Sequence, residues 1–103
     1  MQRYYEVFIS AETQEQADTI LNSLLDKKLA TGGQFLQSPA RFLWKGEVEE
    51  MDYITITSFT TIDKKEALVQ DVEATTAEDF PMIRFIAIET NKKLSEWIDQ
   101  TLA

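Results

Sequence analysis

The chain contains no cysteine and no histidine. Disulfide staples, thiol nucleophiles, imidazole bases and the ordinary sulfur and nitrogen ligands of zinc and copper are thereby excluded. Glycine occurs three times and proline twice in 103 residues, too few for a flexible linker or a low-complexity segment, and no internal repeat is visible. No apolar run approaches the ~20 residues of a membrane span, the longest being short stretches such as Phe85 to Ile88. Basic residues are scarce as well: ten Lys and Arg stand against eighteen Asp and Glu, a net charge of −8. Such a surface repels phosphates at long range, so neither nucleic acid nor an anionic membrane is an expected partner, and cations are the expected guests. Glu6 falls where a secretory leader would need its apolar core, so no leader and a cytoplasmic location are expected.

Apolar residues, by contrast, make up 44% of the chain and include six Phe, three Tyr and two Trp. That is too much for a disordered acidic tail and predicts one folded unit over residues 1–103. A chain of this size buries roughly 65% of its unfolded surface, which makes association between copies a natural supplement.

Arg3 to Ser10 reads as a strand with Tyr5, Val7 and Ile9 on one face and Tyr4, Glu6 and Phe8 on the other. Thr13 with Gln16 three positions on forms a capping box, and Ala17, Ile20, Leu21, Leu24 and Leu25 follow at helical spacing. The helix is expected to end at Lys27-Lys28, with Gly32-Gly33 as its stop. Alternation returns from Gln34 to Trp44, where Phe42 and Trp44 share a face and Pro39 predicts a bulge or an edge position. Lys45-Gly46 is a tight turn into Glu47 to Thr60, completing a long hairpin. Asp63 with Glu66 opens a second helix carrying Leu68, Val69 and Val72, which frays around Ala74 to Glu78. Pro81 precedes a fourth strand, Met82 to Glu89, and Asn91 caps a last helix with Leu94, Trp97, Ile98 and Leu102 on one side.

Strand, helix, strand, strand, helix, strand and a terminal helix make an α+β class, the split βαβ arrangement of the ferredoxin-like sandwich with an antiparallel sheet. Two helices cover one sheet face. The other face carries aromatic and branched groups from every strand, more than a solvated face needs, and predicts a cover.

The run Phe42-Leu43-Trp44-Lys45-Gly46-Glu47-Val48-Glu49-Glu50 resembles the aromatic-x-Trp-x-Gly signature of the divalent-cation tolerance proteins of the CutA type. Leu24 to Ala30 is similar to the end of that family's first helix, and Leu94-Ser95-Glu96-Trp97-Ile98 to its closing segment. The resemblance covers nearly the whole chain and implies a tightly packed, non-catalytic homotrimer whose sheets face one another across a three-fold axis, with a role in divalent-metal tolerance. Two departures bear on that role. Thr31-Gly32-Gly33-Gln34 stands where the family has Ala-Cys-Val-Asn, and Thr76-Ala77-Glu78-Asp79 where it has His-Pro-Tyr-Glu. The thiolate and imidazole that suit copper and zinc are therefore gone, and Asp79 alone keeps a comparable carboxylate.

Glu78 and Asp79 are the candidate ligands of a hard divalent cation, against the alternative of an exposed connection. Glu47, Glu49, Glu50 and Asp52 form a second acidic set, more simply a solvated turn. Phe42, Trp44, Gly46 and Trp97 are the candidates for an inter-subunit cleft that holds a small ligand, or for plain packing there. No cofactor is expected beyond a weakly held divalent cation. No histidine or lysine stands ready to activate a Ser or Thr, so the chain does not read as an enzyme. The alternative is a sensor resembling the PII signalling proteins, which share the ferredoxin-like trimer and hold a nucleotide between subunits.

Overall fold

Thr13 accepts a hydrogen bond from the Gln16 backbone N–H at 3.1 Å, the first half of the predicted capping box, while the Gln16 side chain reaches one residue further and accepts from the Glu12 N–H rather than from Thr13. In the computed structural model, which describes residues 2–103, this cap starts α1 (Gln14–Asp26), between β1 (Tyr4–Ala11) and β2 (Gly33–Trp44). β3 (Glu47–Thr61) follows, then a 3₁₀ turn (Ile62–Lys64), α2 (Lys65–Thr75), β4 (Ile83–Ala87) and α3 (Lys92–Thr101). The strand order is β2-β3-β1-β4 with every neighbouring pair antiparallel, which is the ferredoxin-like sheet.

Register decides which side chains meet the helices. Val7, Ile9 and Ala11 lie opposite Ser58, Ile56 and Ile54, and opposite Phe85 and Ile83 on the other flank. This face packs against Ala17, Ile20, Leu21 and Leu24 of α1 and Leu68 and Val72 of α2 to form the core. The reverse face carries Tyr4, Phe8, Thr57, Phe59 and Tyr53, and β2 and β4 add Leu36, Phe42, Trp44 and Ile86, all four well exposed. α3 joins at the Tyr4 and Thr61 end: Ile98 and Leu102 are buried, and Asp99 accepts from Tyr4 Oη at 2.6 Å and from Arg3 Nη2 at 3.0 Å.

Four expectations about local structure change. α1 is stopped by Lys28, which takes φ 54° and gives its N–H to the Leu25 carbonyl while Leu29 gives its own to Leu24. This is a Schellman closure, completed before Gly32-Gly33. Gly33 serves a different need, since a Cβ there would stand 1.5 Å from the Thr57 carbonyl oxygen. Pro39 lies on an edge strand, as one of its two readings required, but stays in register opposite Asp52 without a bulge. α2 begins at Lys65 behind the 3₁₀ turn with no side-chain cap; Asp63 instead accepts from the Thr61 hydroxyl at 2.6 Å. Trp97 leaves the buried face of α3 and is 46% exposed, because Ile98 alone takes the central buried position.

β1 ends opposite Ile54, whereas the β2–β3 hairpin runs on to a turn at Lys45-Gly46. Lys45 at φ 52° and Gly46 at φ 83° give that turn the left-handed backbone that matches strand twist. Residues 39–44 and 47–52 thus form a two-stranded arm without a third strand beside it. The arm stretches the molecule to 44 Å and its radius of gyration to 14.2 Å, against about 13 Å for a compact chain of this length.

Candidate functional site

The loop 76–82 runs along the arm and closes a groove of about 670 Å³ against it. Tyr53 and Met51 form its floor, Phe42 and Trp44 the arm side, and Phe80 and Met82 the loop side. The rings meet edge to face: Phe42 and Tyr53 are 5.4 Å apart at 66°, Trp44 and Phe80 6.1 Å apart at 60°. The first pair lies within the hairpin, and the second, between the arm and the loop, holds the loop to the arm through apolar contact. Lys45 reaches back so that its Nζ lies 5.6 Å from the Trp44 centroid.

Glu78 fastens the loop to the sheet. Its carboxylate accepts from Ser10 Oγ at 3.0 Å and from Tyr53 Oη at 3.0 Å. Ser10 Oγ in turn accepts from the Met82 N–H at 2.8 Å, and Thr76 Oγ1 accepts from the Glu78 N–H at 3.1 Å. Burial raises the Glu78 pKa above the ordinary 4.5, opposed by the two hydroxyl donors and reinforced by repulsion from Glu12. Burial also pushes the Tyr53 hydroxyl up to about 12, with the negative charge of Glu78 adding to the effect.

Of the two candidate ligands, Glu78 is therefore taken up by hydroxyls, while Asp79 lines the same groove and has no ion pair among the described residues. Glu49 joins them from the arm and Glu12 from the end of β1. Glu47 and Glu50 do not line the groove, and Glu50 pairs with Arg41 at 2.7 Å. Among the described residues no set of three acids converges as a metal cage. With thiolate and imidazole absent from the chain, the residues present do not fit a resident copper or zinc ion. Phe42 and Trp44 are brought together in the groove, Gly46 stands at the arm tip, and Trp97 lies apart on α3. Ser10 and Tyr53 were not singled out from the sequence. The available signal was Ser10 itself, a small polar residue directly after the apolar run Val7-Phe8-Ile9, and it is 4% exposed.

Ser10 beside Glu78 has the outline of a hydroxyl and its base, but the hydroxyl is buried and both donates and accepts, so its bonding is spent on structure. What the groove offers is aromatic surface and negative charge.

Residues 5–101 match the model of the family described as CutA1 divalent ion tolerance protein. The chain belongs to this family. It is 30% identical over 97 residues to the divalent-cation tolerance protein CutA of Archaeoglobus fulgidus, covering 93% of this chain and 95% of that one. A solved structure described as the periplasmic divalent cation tolerance protein CutA from the same organism is 29% identical, with a TM-score of 0.92 over 97% of this chain and 99% of the other. CutA from Synechococcus elongatus superposes with a TM-score of 0.93 over 100% of this chain and 93% of its own at 13% identity, a likeness of fold alone. The aromatic-x-Trp-x-Gly run of this CutA family member is thus the tip of its arm. No helix among the described residues is long and apolar enough to cross a membrane.

Proposed function

We propose that this chain acts as a non-catalytic homotrimer of the divalent-cation tolerance type, working in the cytoplasm, with the open sheet faces and arms of three copies packed together. The supporting observation is the surface that one copy leaves in water: Leu36, Leu43, Val48 and Ile86 are each at least half exposed. Phe42 and Trp44 add aromatic area beside them, on an arm that has only two strands. Isolated two-stranded ribbons are marginal in water, and monomers seldom expose apolar surface on this scale. A neighbouring copy supplies both the missing cover and the missing support. Divalent cations then meet chiefly carboxylate oxygen, with Asp79, Glu49 and Glu12 the acids of the groove that have no side-chain partner among the described residues. The acidic lining runs against the nucleotide-sensing alternative, because a phosphate would be repelled there.

Light scattering at micromolar protein tests the assembly. The expected mass is three times 11.9 kDa. A monomer that stays in solution overturns the proposal, since its open face would then be stable in water.

A further inference from the structure

The sheet face that α1 and α2 leave open carries one acid and one base, and each lacks a counter-charge. Of the positions that register assigns to this face outside the arm, only Glu6 on β1 and Arg84 on β4 are charged. Glu6 lies opposite Phe59 on one flank and Ile86 on the other, and Arg84 lies opposite Phe8. Neither has an ion-pair partner among the described residues. The two are diagonal neighbours across β1 and β4, within reach of long side chains. The Arg84 guanidinium nevertheless turns to Phe8, its carbon 4.6 Å from the ring centroid. In a single copy Arg84 is exposed and Glu6 half-buried, so both stay open to water.

Covering this face removes that water. A guanidinium keeps its charge and carries five N–H donors, and a ring attracts it without offering the acceptor oxygens of a carboxylate. Glu6, with Phe59 and Ile86 as its cross-strand neighbours, has the same need with the opposite sign. Apolar cover alone would oppose association at both residues, whereas a carboxylate laid against Arg84 and a guanidinium laid against Glu6 satisfy the two together. A three-fold ring can meet this need because its contacts are heterologous: one patch of a copy meets a different patch of the next.

We infer that Arg84 of each copy pairs with Glu6 of the next copy, once in every contact of the ring. The inference rests on the homotrimer proposed above and gives its apolar interface an element that selects the partner. A copy docked in another register, or an unrelated apolar surface, would bury both charges unpaired.

Charge reversal, read by light scattering over a dilution series, tests the pair. Glu6→Arg and Arg84→Glu each place like charges in every contact, and each is expected to raise the concentration at which the assembly dissociates about tenfold or more. The double reversal Glu6→Arg/Arg84→Glu is expected to bring it back to the wild-type value. A pair formed within one copy would give the same pattern, so the two single variants are also unfolded together in urea and refolded as a mixture. A ring that holds both variants matches most of its contacts, and the trimer mass is expected to return; a pair within one copy would stay mismatched in every copy of the mixture. Recovery in the double reversal without recovery in the mixture overturns the inference, and so does a double reversal that fails to recover. Should a single variant not fold by itself, the refolded mixture still decides. Wild-type protein measured alongside separates the two readings. A trimer in the wild type and in both single variants alike overturns only this inference, whereas a wild-type monomer overturns the assembly on which it rests.

Discussion

Gly33 and Gly46 illustrate two reasons for a glycine, and they predict different losses. At Gly33 the backbone of β3 approaches so closely that an alanine Cβ would overlap the Thr57 carbonyl, and that oxygen belongs to the sheet and cannot swing aside. At Gly46 the space is open and only the left-handed backbone opposes a side chain. Gly46→Ala should therefore cost about 1 to 2 kcal/mol, and Gly33→Ala more, with displacement of the whole start of β2. Urea unfolding of the two variants should rank them in that order. The Glu78 carboxyl carries a pH prediction. Its pKa is raised in the folded protein by burial, so the folded state holds the proton more tightly than the unfolded chain does. Stability gained from this group is full below about 4.5 and is lost as pH rises through the raised folded value. The wild type should thus lose stability relative to Glu78→Gln as pH rises from 4.5 towards neutrality. Asp63 and Asp99 act the other way. Hydroxyl donors, Thr61 and Tyr4, hold their pKa values below the ordinary 3.8, and their contribution is lost only as pH falls through those lowered values. A urea series between pH 7 and pH 4 on the two proteins checks the Glu78 slope, and a flat difference between them would refute it.

At the scale of elements, the local signals were strongest where one turn of chain carries the whole device. Thr13 with Gln16 and Asn91 with Leu94 are caps formed within four residues, and both are present as read. α3 depends on its cap more than α1 does. It has ten residues against thirteen, and beyond Ile98 and Leu102 it is held by the Asp99 contacts to Arg3 and Tyr4. Asn91→Ala is expected to destabilise by ~1 kcal/mol, with hydrogen exchange accelerating in α3 before the β1–β3 pair responds. Uniform acceleration throughout the chain would show that α3 does not open on its own. The start of α2 departs from its sequence pattern for a related reason. Asp63 and Glu66 have the right spacing for a cap, but the chain leaving β3 enters a 3₁₀ turn, and Thr61 donates to the Asp63 carboxylate before a helix N–H can. The end of α1 shows the same limit, since nothing in the residue type marks Lys28 as the one that adopts φ 54°.

At the scale of the molecule, the arm and the open face govern behaviour towards other molecules. The family is one of divalent-cation tolerance, yet this chain has neither thiolate nor imidazole to offer. Calorimetry of the purified protein with copper, zinc and calcium in turn is expected to show dissociation constants weaker than micromolar for copper and zinc, because carboxylates do not select these ions from water. Submicromolar, stoichiometric copper binding would refute this and direct attention to the sulfurs of Met51 and Met82, which both line the groove.

The order of the elements, the two faces of each strand and the acidic, cysteine-free chemistry of the surface were determined by the sequence alone. These are properties of composition and of periods of two and 3.6 residues, which need no knowledge of distant neighbours. The placement of Phe42 and Trp44 on a projecting arm came only from the tertiary structure. It follows from β1 being shorter than the hairpin beside it, and strand alternation is the same whether or not a third strand is present. The grip on Glu78 is of the same kind. Ser10 lies 68 residues away in the chain and Tyr53 25, so a carboxylate that reads as part of an exposed connection is pinned to the sheet. Sheet register and loop packing brought the three together, and no local pattern encodes either.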